Sequence, residues 1–122
     1  MHRLLIVDDE DSFREFVEMA LNIEGYSVFA AGNGQEALTV LQSVHLDLII
    51  LDLCMPCVNG WDVLACARRE TVNRHTPVLV LTALADAETR RRSMQERIKK
   101  LLVKPVSVDE IIDAIESALV SV

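Results

Sequence analysis

Basic charge is scarce in this sequence. Lys and Arg number 12 against 19 Asp and Glu, a formal net charge of −7. That balance argues against direct nucleic-acid binding by this domain, because phosphate contacts demand clustered cations. The basic run that does occur is local: Arg90, Arg91 and Arg92, then Arg97, Lys99 and Lys100. Long apolar runs are missing as well. No stretch approaches the roughly 20 residues that span a bilayer, and the opening MHRLLIVDDE reaches acids too early for a signal peptide. A cytoplasmic protein with no membrane partner is expected. Cysteines are few and odd in number, 3 in all, which fits a reducing compartment better than a disulfide framework. A second domain has no room: 122 residues suit one domain around one core, expected over 1–122.

What is abundant is apolar side chain, 51 % of the residues, in short runs that alternate with amphipathic segments. RLLIV (3–7), SVFAA (27–31), LDLIIL (46–51), PVLVL (77–81) and KLLV (100–103) have strand length and β-branched content. Four of the five read as apolar on both faces, as parallel strands between helix layers should. The spacing predicts a helix over 11–24, with Phe13, Phe16, Val17, Ala20 and Ile23 on one face, an Asp or Ser cap and Gly25 as the stop. A second follows Asn33-Gly34 through Ala37, Leu38, Leu41 and Val44, and a third carries Trp61, Leu64, Ala65 and Ala67. The last runs from about Val108 to Leu119 through Ile111, Ile112, Ile115 and Ala118. The fourth, 86–97, offers only Ala87 and Met94 to a core, so it should be the least buried and most readily displaced. Five βα units of this size specify a doubly wound α/β fold, a five-stranded parallel sheet with helices on both faces. In such sheets the ligand site lies outside the carboxyl ends of the strands.

At that edge the first strand ends in Asp8-Asp9-Glu10, the third in Asp52, the fourth in Thr82-Ala83 and the fifth in Lys104-Pro105. Converging carboxylates repel unless a cation or the lysine ammonium neutralises them. Oxygen donors suit Mg²⁺, whereas a soft metal would need more sulfur or imidazole. A carboxylate beside a hard cation, an ammonium and a hydroxyl is built to receive a phosphoryl group, with an aspartyl phosphate as product. Singly, Asp8 or Asp9 could cap a helix, Thr82 could be an ordinary strand residue and Lys104 a surface charge. Four such groups at successive strand ends carry the reading.

The motifs LLIVDDE, DLCMPCVNGWDVL from Asp52, PVLVLTA from Pro77 and KP at 104–105 occur in order along the whole chain. Asp52, Met55, Pro56, Asn59 and Gly60 fit the pattern D-x-x-M-P-x-x-N-G. Together they make the chain resemble the receiver domain of two-component response regulators. The resemblance implies a flavodoxin-like strand order 2-1-3-4-5. It implies that Asp52 is the phosphoacceptor, with Mg²⁺ bound by Asp9, Asp52 and the backbone carbonyl of Cys54, and Asp8 acting mainly through a metal-bound water. Lys104 would contact the phosphoryl group, Thr82 would swing its hydroxyl onto it, and the Lys104-Pro105 bond would be cis. A sensor histidine kinase or phosphotransfer protein would be the donor. The output would be a changed surface on the fourth helix, fifth strand and fifth helix, read by a downstream output domain or protein. Such a module signals and is not itself an enzyme.

Three positions depart from the family: Arg97-Ile98 in place of Gly-Ala, and Leu101 in place of an aromatic three residues before the lysine. Leucine has no ring to bury, so a switch would rest on Thr82 and the fourth helix; a pseudo-receiver that binds without switching is the alternative. The resemblance also implies that the positions two residues after Asp52 and Thr82 govern phosphoryl lifetime; Cys54 and Leu84 stand there and cannot orient an attacking water, so slow self-dephosphorylation is expected. A haloacid-dehalogenase-type phosphatase would need an acid where Cys54 stands, and a longer chain. A thioredoxin-like site would need Cys54-Met55-Pro56-Cys57 to open a helix, but Val58-Asn59-Gly60 follows. For zinc, Cys66 and the three histidines are too scattered. Cys66 reads as a packing residue, and His45 and His75 as surface loops. The apolar ending SALVSV suggests a helix that continues into further chain, a partner or a homodimer.

Overall fold

The computed structural model describes residues 2–53, 60–83, 86–96 and 98–120. In chain order the elements are β1 (Arg3–Val7), α1 (Asp11–Ile23), β2 (Ser27–Ala31), α2 (Gly34–Ser43), β3 (Leu48–Asp52), α3 (Gly60–Glu70), β4 (Val78–Thr82), α4 (Ala87–Gln95), β5 (Lys100–Val103) and α5 (Val108–Val120). The five strands form one parallel sheet in the order β2-β1-β3-β4-β5. Among the described residues no helix is long and apolar enough to cross a membrane.

Alternation along the strands divides the core in two, because successive side chains of a strand point to opposite faces. Leu5, Val7, Ile49, Leu51, Val78 and Val80 face α2 and α3. Leu4, Ile6, Leu48, Ile50, Leu79, Leu81 and Leu102 face α1 and α5. Each fully buried Leu, Ile or Val contributes roughly 1.5–3 kcal/mol. Full burial belongs to β3 and β4, and to β1 past its first residue. The outer strands are less covered, β2 half-buried for most of its length and β5 open at both ends. Two-sided burial therefore holds for three strands and not four; β2 and β5 are the sheet edges, with a neighbour on one side only.

The helix boundaries have local causes. The Asn33 side chain accepts from the Glu36 amide at 2.9 Å, while Glu36 accepts from the Gly32 amide at 2.7 Å, two donors of the α2 start satisfied reciprocally. Ser107 and Glu110 do the same for α5, and Asp86 caps α4 by accepting from the Thr89 amide at 2.8 Å. Gly25, at φ 97°, takes the left-handed conformation that ends α1.

Four helical expectations change. The α1 cap is neither Asp nor Ser: Glu10 holds the position without a side-chain bond, and Asp11, inside the helix, pairs with Arg14 at 2.7 Å. The buried face of α1 is Val17 and Leu21, whereas Phe16 and Ile23 are 58 % and 79 % exposed; the true stripe is turned by about one residue. In α4 the buried side chain is Ser93, its hydroxyl donating to the Thr89 carbonyl at 2.8 Å, while Met94 is 82 % exposed. Likewise Val63, and not Ala65, joins Leu64 and Ala67 beneath α3.

One buried polar residue ties the layers at the N-terminal edge of the sheet. The Asn73 side chain, fully buried, accepts from the Leu46 amide at 2.7 Å and donates to the carbonyls of Leu41 and Val44 at 2.8 and 2.7 Å. It thereby closes the end of α2 and the entry to β3. At the opposite edge, a Cβ on Gly60 would stand 2.5 Å from the Asp52 carbonyl oxygen and 2.6 Å from Leu53 Cα. Only glycine lets α3 start this close to the end of β3.

Asn73→Ala should lower the free energy of unfolding by about 3 kcal/mol in urea titration, because it strands one amide and two carbonyls away from water. Gly60→Ala should cost about 2 kcal/mol by the same measurement, since both atoms it meets are backbone and must shift.

Candidate functional site

Three strands deliver charged side chains to one point. Continuing the rows that face α1 and α5, Asp8 follows Leu4 and Ile6, Asp52 follows Leu48 and Ile50, and Lys104 follows Leu102. Pairing of Val7 with Leu51 brings Asp8 level with Asp52. The Asp8 amide donates to the Ala31 carbonyl and the Leu53 amide to that of Leu81, each at 3.1 Å, so the ladder holds the backbone just past the strand ends.

Carboxylate oxygens of Asp8, Asp9 and Asp52 lie within 4.8 Å of one another. Asp8 and Asp52 are buried, at 0 % and 3 % exposure, and Asp9 is exposed. The Lys104 ammonium donates to Asp8 Oδ2 at 2.8 Å and to Asp52 Oδ2 at 3.4 Å. Burial works to pull the Lys104 ammonium down, but the hydrogen bond and charge of Asp8, with those of Asp52, outweigh it and its pKa is raised. It stays cationic at neutral pH. One ammonium among three carboxylates leaves an excess of negative charge, and an all-oxygen donor set with one open, exposed member fits a hard divalent cation.

The first turn of α1 supports this cluster. The Glu10 amide donates to Asp8 Oδ1 at 2.9 Å, and the Arg14 guanidinium to the Asp8 carbonyl at 2.7 Å. The face of the Phe13 ring lies 4.7 Å from the Lys104 ammonium. Arg14 carries no spacing signal that places it here, and Phe13 reads from sequence only as a core residue.

Thr82 is buried at the end of β4, in the row of Val78 and Val80 that faces the other layer. Its carbonyl accepts from the Lys104 amide at 2.8 Å. The expected cis bond at Lys104-Pro105 is present. The carbonyl of Cys54, expected as a metal ligand, lies outside the described residues, as do Cys57 and Leu84. Among the described residues the acidic trio is the one group of metal-ligating side chains brought together. A groove around His45, Asp47, Arg69, Arg74 and His75 is at the opposite end of the sheet and contains none of these acids.

Comparison with known proteins agrees with this geometry. The model of the response regulator receiver domain matches residues 4–116. A probable transcriptional regulator ycf27 of Porphyridium aerugineum is 37 % identical over 117 residues, 96 % of this chain and 48 % of that protein. The chain thus spans about half the length of the curated relatives it matches. Vibrio cholerae chemotaxis protein CheY4 superposes with a TM-score of 0.91 at 31 % identity, covering 98 % of this chain and 99 % of that one. Thermotoga maritima response regulator TrrA, solved in complex with Mg²⁺-BeF, gives 0.83 at 33 % identity over 98 % and 100 % of the two chains. Matched by that model over residues 4–116 and sharing its fold with these structures, the chain belongs to the response regulator receiver domain family.

Proposed function

We propose that residues 1–122 form a receiver domain in which Asp52 accepts a phosphoryl group from a sensor histidine kinase or phosphotransfer protein in a Mg²⁺-dependent reaction. The observation that carries this is the Lys104 ammonium, shared at 2.8 and 3.4 Å by two buried carboxylates at the strand ends. The complex of TrrA with Mg²⁺-BeF supports the choice of ion.

Asp9 and Asp52 would hold Mg²⁺ directly, with the Cys54 carbonyl as third protein ligand and Asp8 acting through water. When bound, the ion neutralises the carboxylates and draws the donor's phosphoryl oxygens into place. The chain's own residues do the rest. A carboxylate oxygen of Asp52 attacks phosphorus, the bond from phosphorus to the donor's leaving atom breaks, and its electron pair stays with the donor. Asp52 attacks as a carboxylate, which has no proton to lose in the step. Lys104, released from Asp52 as the carboxylate becomes an ester-like group, follows the new negative charge onto the phosphoryl oxygens. Thr82 is one strand away and would turn its hydroxyl to the same oxygens.

The output would be a population shift of the α4-β5-α5 surface, since α4 buries least and offers Arg90, Arg91 and Arg92 to an acidic or polar partner. Leu101, half-buried against the α2-α3 core, has no ring to turn inward, which leaves Thr82 and α4 as the moving parts. The domain would signal in the cytoplasm, turn over no substrate and bind no nucleic acid itself; a downstream domain or protein, or a homodimer through this surface, would carry the output.

Incubation with Mg²⁺ and a small acyl phosphate should add one phosphoryl group by intact mass, and Asp52→Asn should add none; no gain in the wild-type protein with any donor refutes the reading. With apolar Cys54 and Leu84 two residues after Asp52 and Thr82 in the sequence, the aspartyl phosphate should persist for many minutes without a phosphatase. A half-life of seconds, followed by the same mass measurement, would contradict that.

A further inference from the structure

Among the described residues the Lys104 ammonium has three charged or aromatic neighbours, and two of them compete. Asp8 Oδ2 is closer, at 2.8 Å, than Asp52 Oδ2 at 3.4 Å. A four-methylene side chain is flexible enough to settle on the nearer acid and leave the other. The third neighbour is the Phe13 ring, whose centroid lies 4.7 Å from the nitrogen. An aromatic face attracts a cation and, unlike a carboxylate, takes no hydrogen bond that must later be broken.

The ring is itself held in place. Phe13 stands on α1, half-buried against the layer of Val17, Leu21 and Ile111. The turn that carries it is tied to the site by the Glu10 amide on Asp8 Oδ1 and by the Arg14 guanidinium on the Asp8 carbonyl. The Lys104 side chain is 19 % exposed, so the ring covers a direction from which water would otherwise solvate the ammonium. Leucine or isoleucine at position 13 would fill the same space without attracting charge.

We propose that Phe13 is a positioning residue for phosphoryl acceptance, its ring face holding the Lys104 ammonium between Asp8 and Asp52 so that it is already in place when negative charge develops on the incoming phosphoryl group. The role rests on the reading of Asp52 as acceptor. Phe13 touches no reacting atom and acts only through Lys104, and pre-placement of that charge is what lowers the cost of reorganisation in the transition state.

Two variants test it. Phe13→Leu keeps the apolar volume and removes the ring; Phe13→Tyr keeps the ring. In the metal-free, unphosphorylated protein, proton–carbon NMR should find the Lys104 ε-methylene shifted upfield by the ring current in the wild-type and Tyr forms, and not in the Leu form. With Mg²⁺ and a small acyl phosphate, the maximal phosphorylation rate of the Leu form should fall about tenfold, the size of one cation–π contact. The Tyr form should recover it, with Mg²⁺ affinity and Tm unchanged in both. A Leu form that matches the wild type in rate overturns the role of Phe13, as does a Tyr form that fails to recover, or a rate loss matched by an equal loss of Mg²⁺ affinity. A wild type that takes up no phosphoryl group overturns the reading of Asp52 itself, and the role of Phe13 with it.

Discussion

The ammonium of Lys104 between two buried carboxylates is the contact on which the functional edge depends. Asp8 and Asp52 lie on adjacent strands, with almost no access to water, and without a counter-charge their mutual repulsion would oppose the sheet register that brings them level. Lys104 arrives from β5, two strands from Asp52, across β4. Its reach therefore joins β1, β3 and β5 in one electrostatic unit. The same unit is incompletely neutralised, three acids to one lysine, and that deficit suits it to a hard cation.

Around this unit the fold is organised by row. Alternation sends one set of apolar residues toward α1 and α5 and the other toward α2 and α3. Asp8, Asp52 and Lys104 extend the first set and Thr82 extends the second. Asp52 thus belongs to the α1-α5 side, while the Thr82 hydroxyl belongs to the side of α2 and α3. The scarce aromatics are placed on the same logic: Phe13 stacks on Lys104 and Trp61 on Arg92 of α4, 4.5 Å from the ring centre.

The two ends of the sheet are built differently because their tasks differ. At the N-terminal edge Asn73 satisfies every polar atom it meets and locks α2 to β3, the fully paired kind of buried polar site that rigidifies a core. At the C-terminal edge charge is left in excess and Asp9 remains open to solvent. The absence of a side chain at Gly60 then lets α3 begin directly behind Asp52, which sets the wall of the site.

The sequence by itself determined the elements, the parallel sheet and the identity of the acidic and lysine residues at its edge, because strand length, helical periodicity and residue chemistry are local properties. The places of Asp8, Asp52, Thr82 and Lys104 were legible for that reason: each sits at the end of an apolar run. Only the tertiary structure decided which acid the lysine prefers, that Phe13 and Arg14 belong to the site, that Asn73 joins two layers, and that Phe16, Ile23 and Met94 face outward. Those outcomes depend on distances between segments far apart in the chain and on the rotation of each helix against the sheet. A hydrophobic stripe tolerates an error of one residue in that rotation, about 100°, and such an error is enough to exchange a buried side chain for an exposed one.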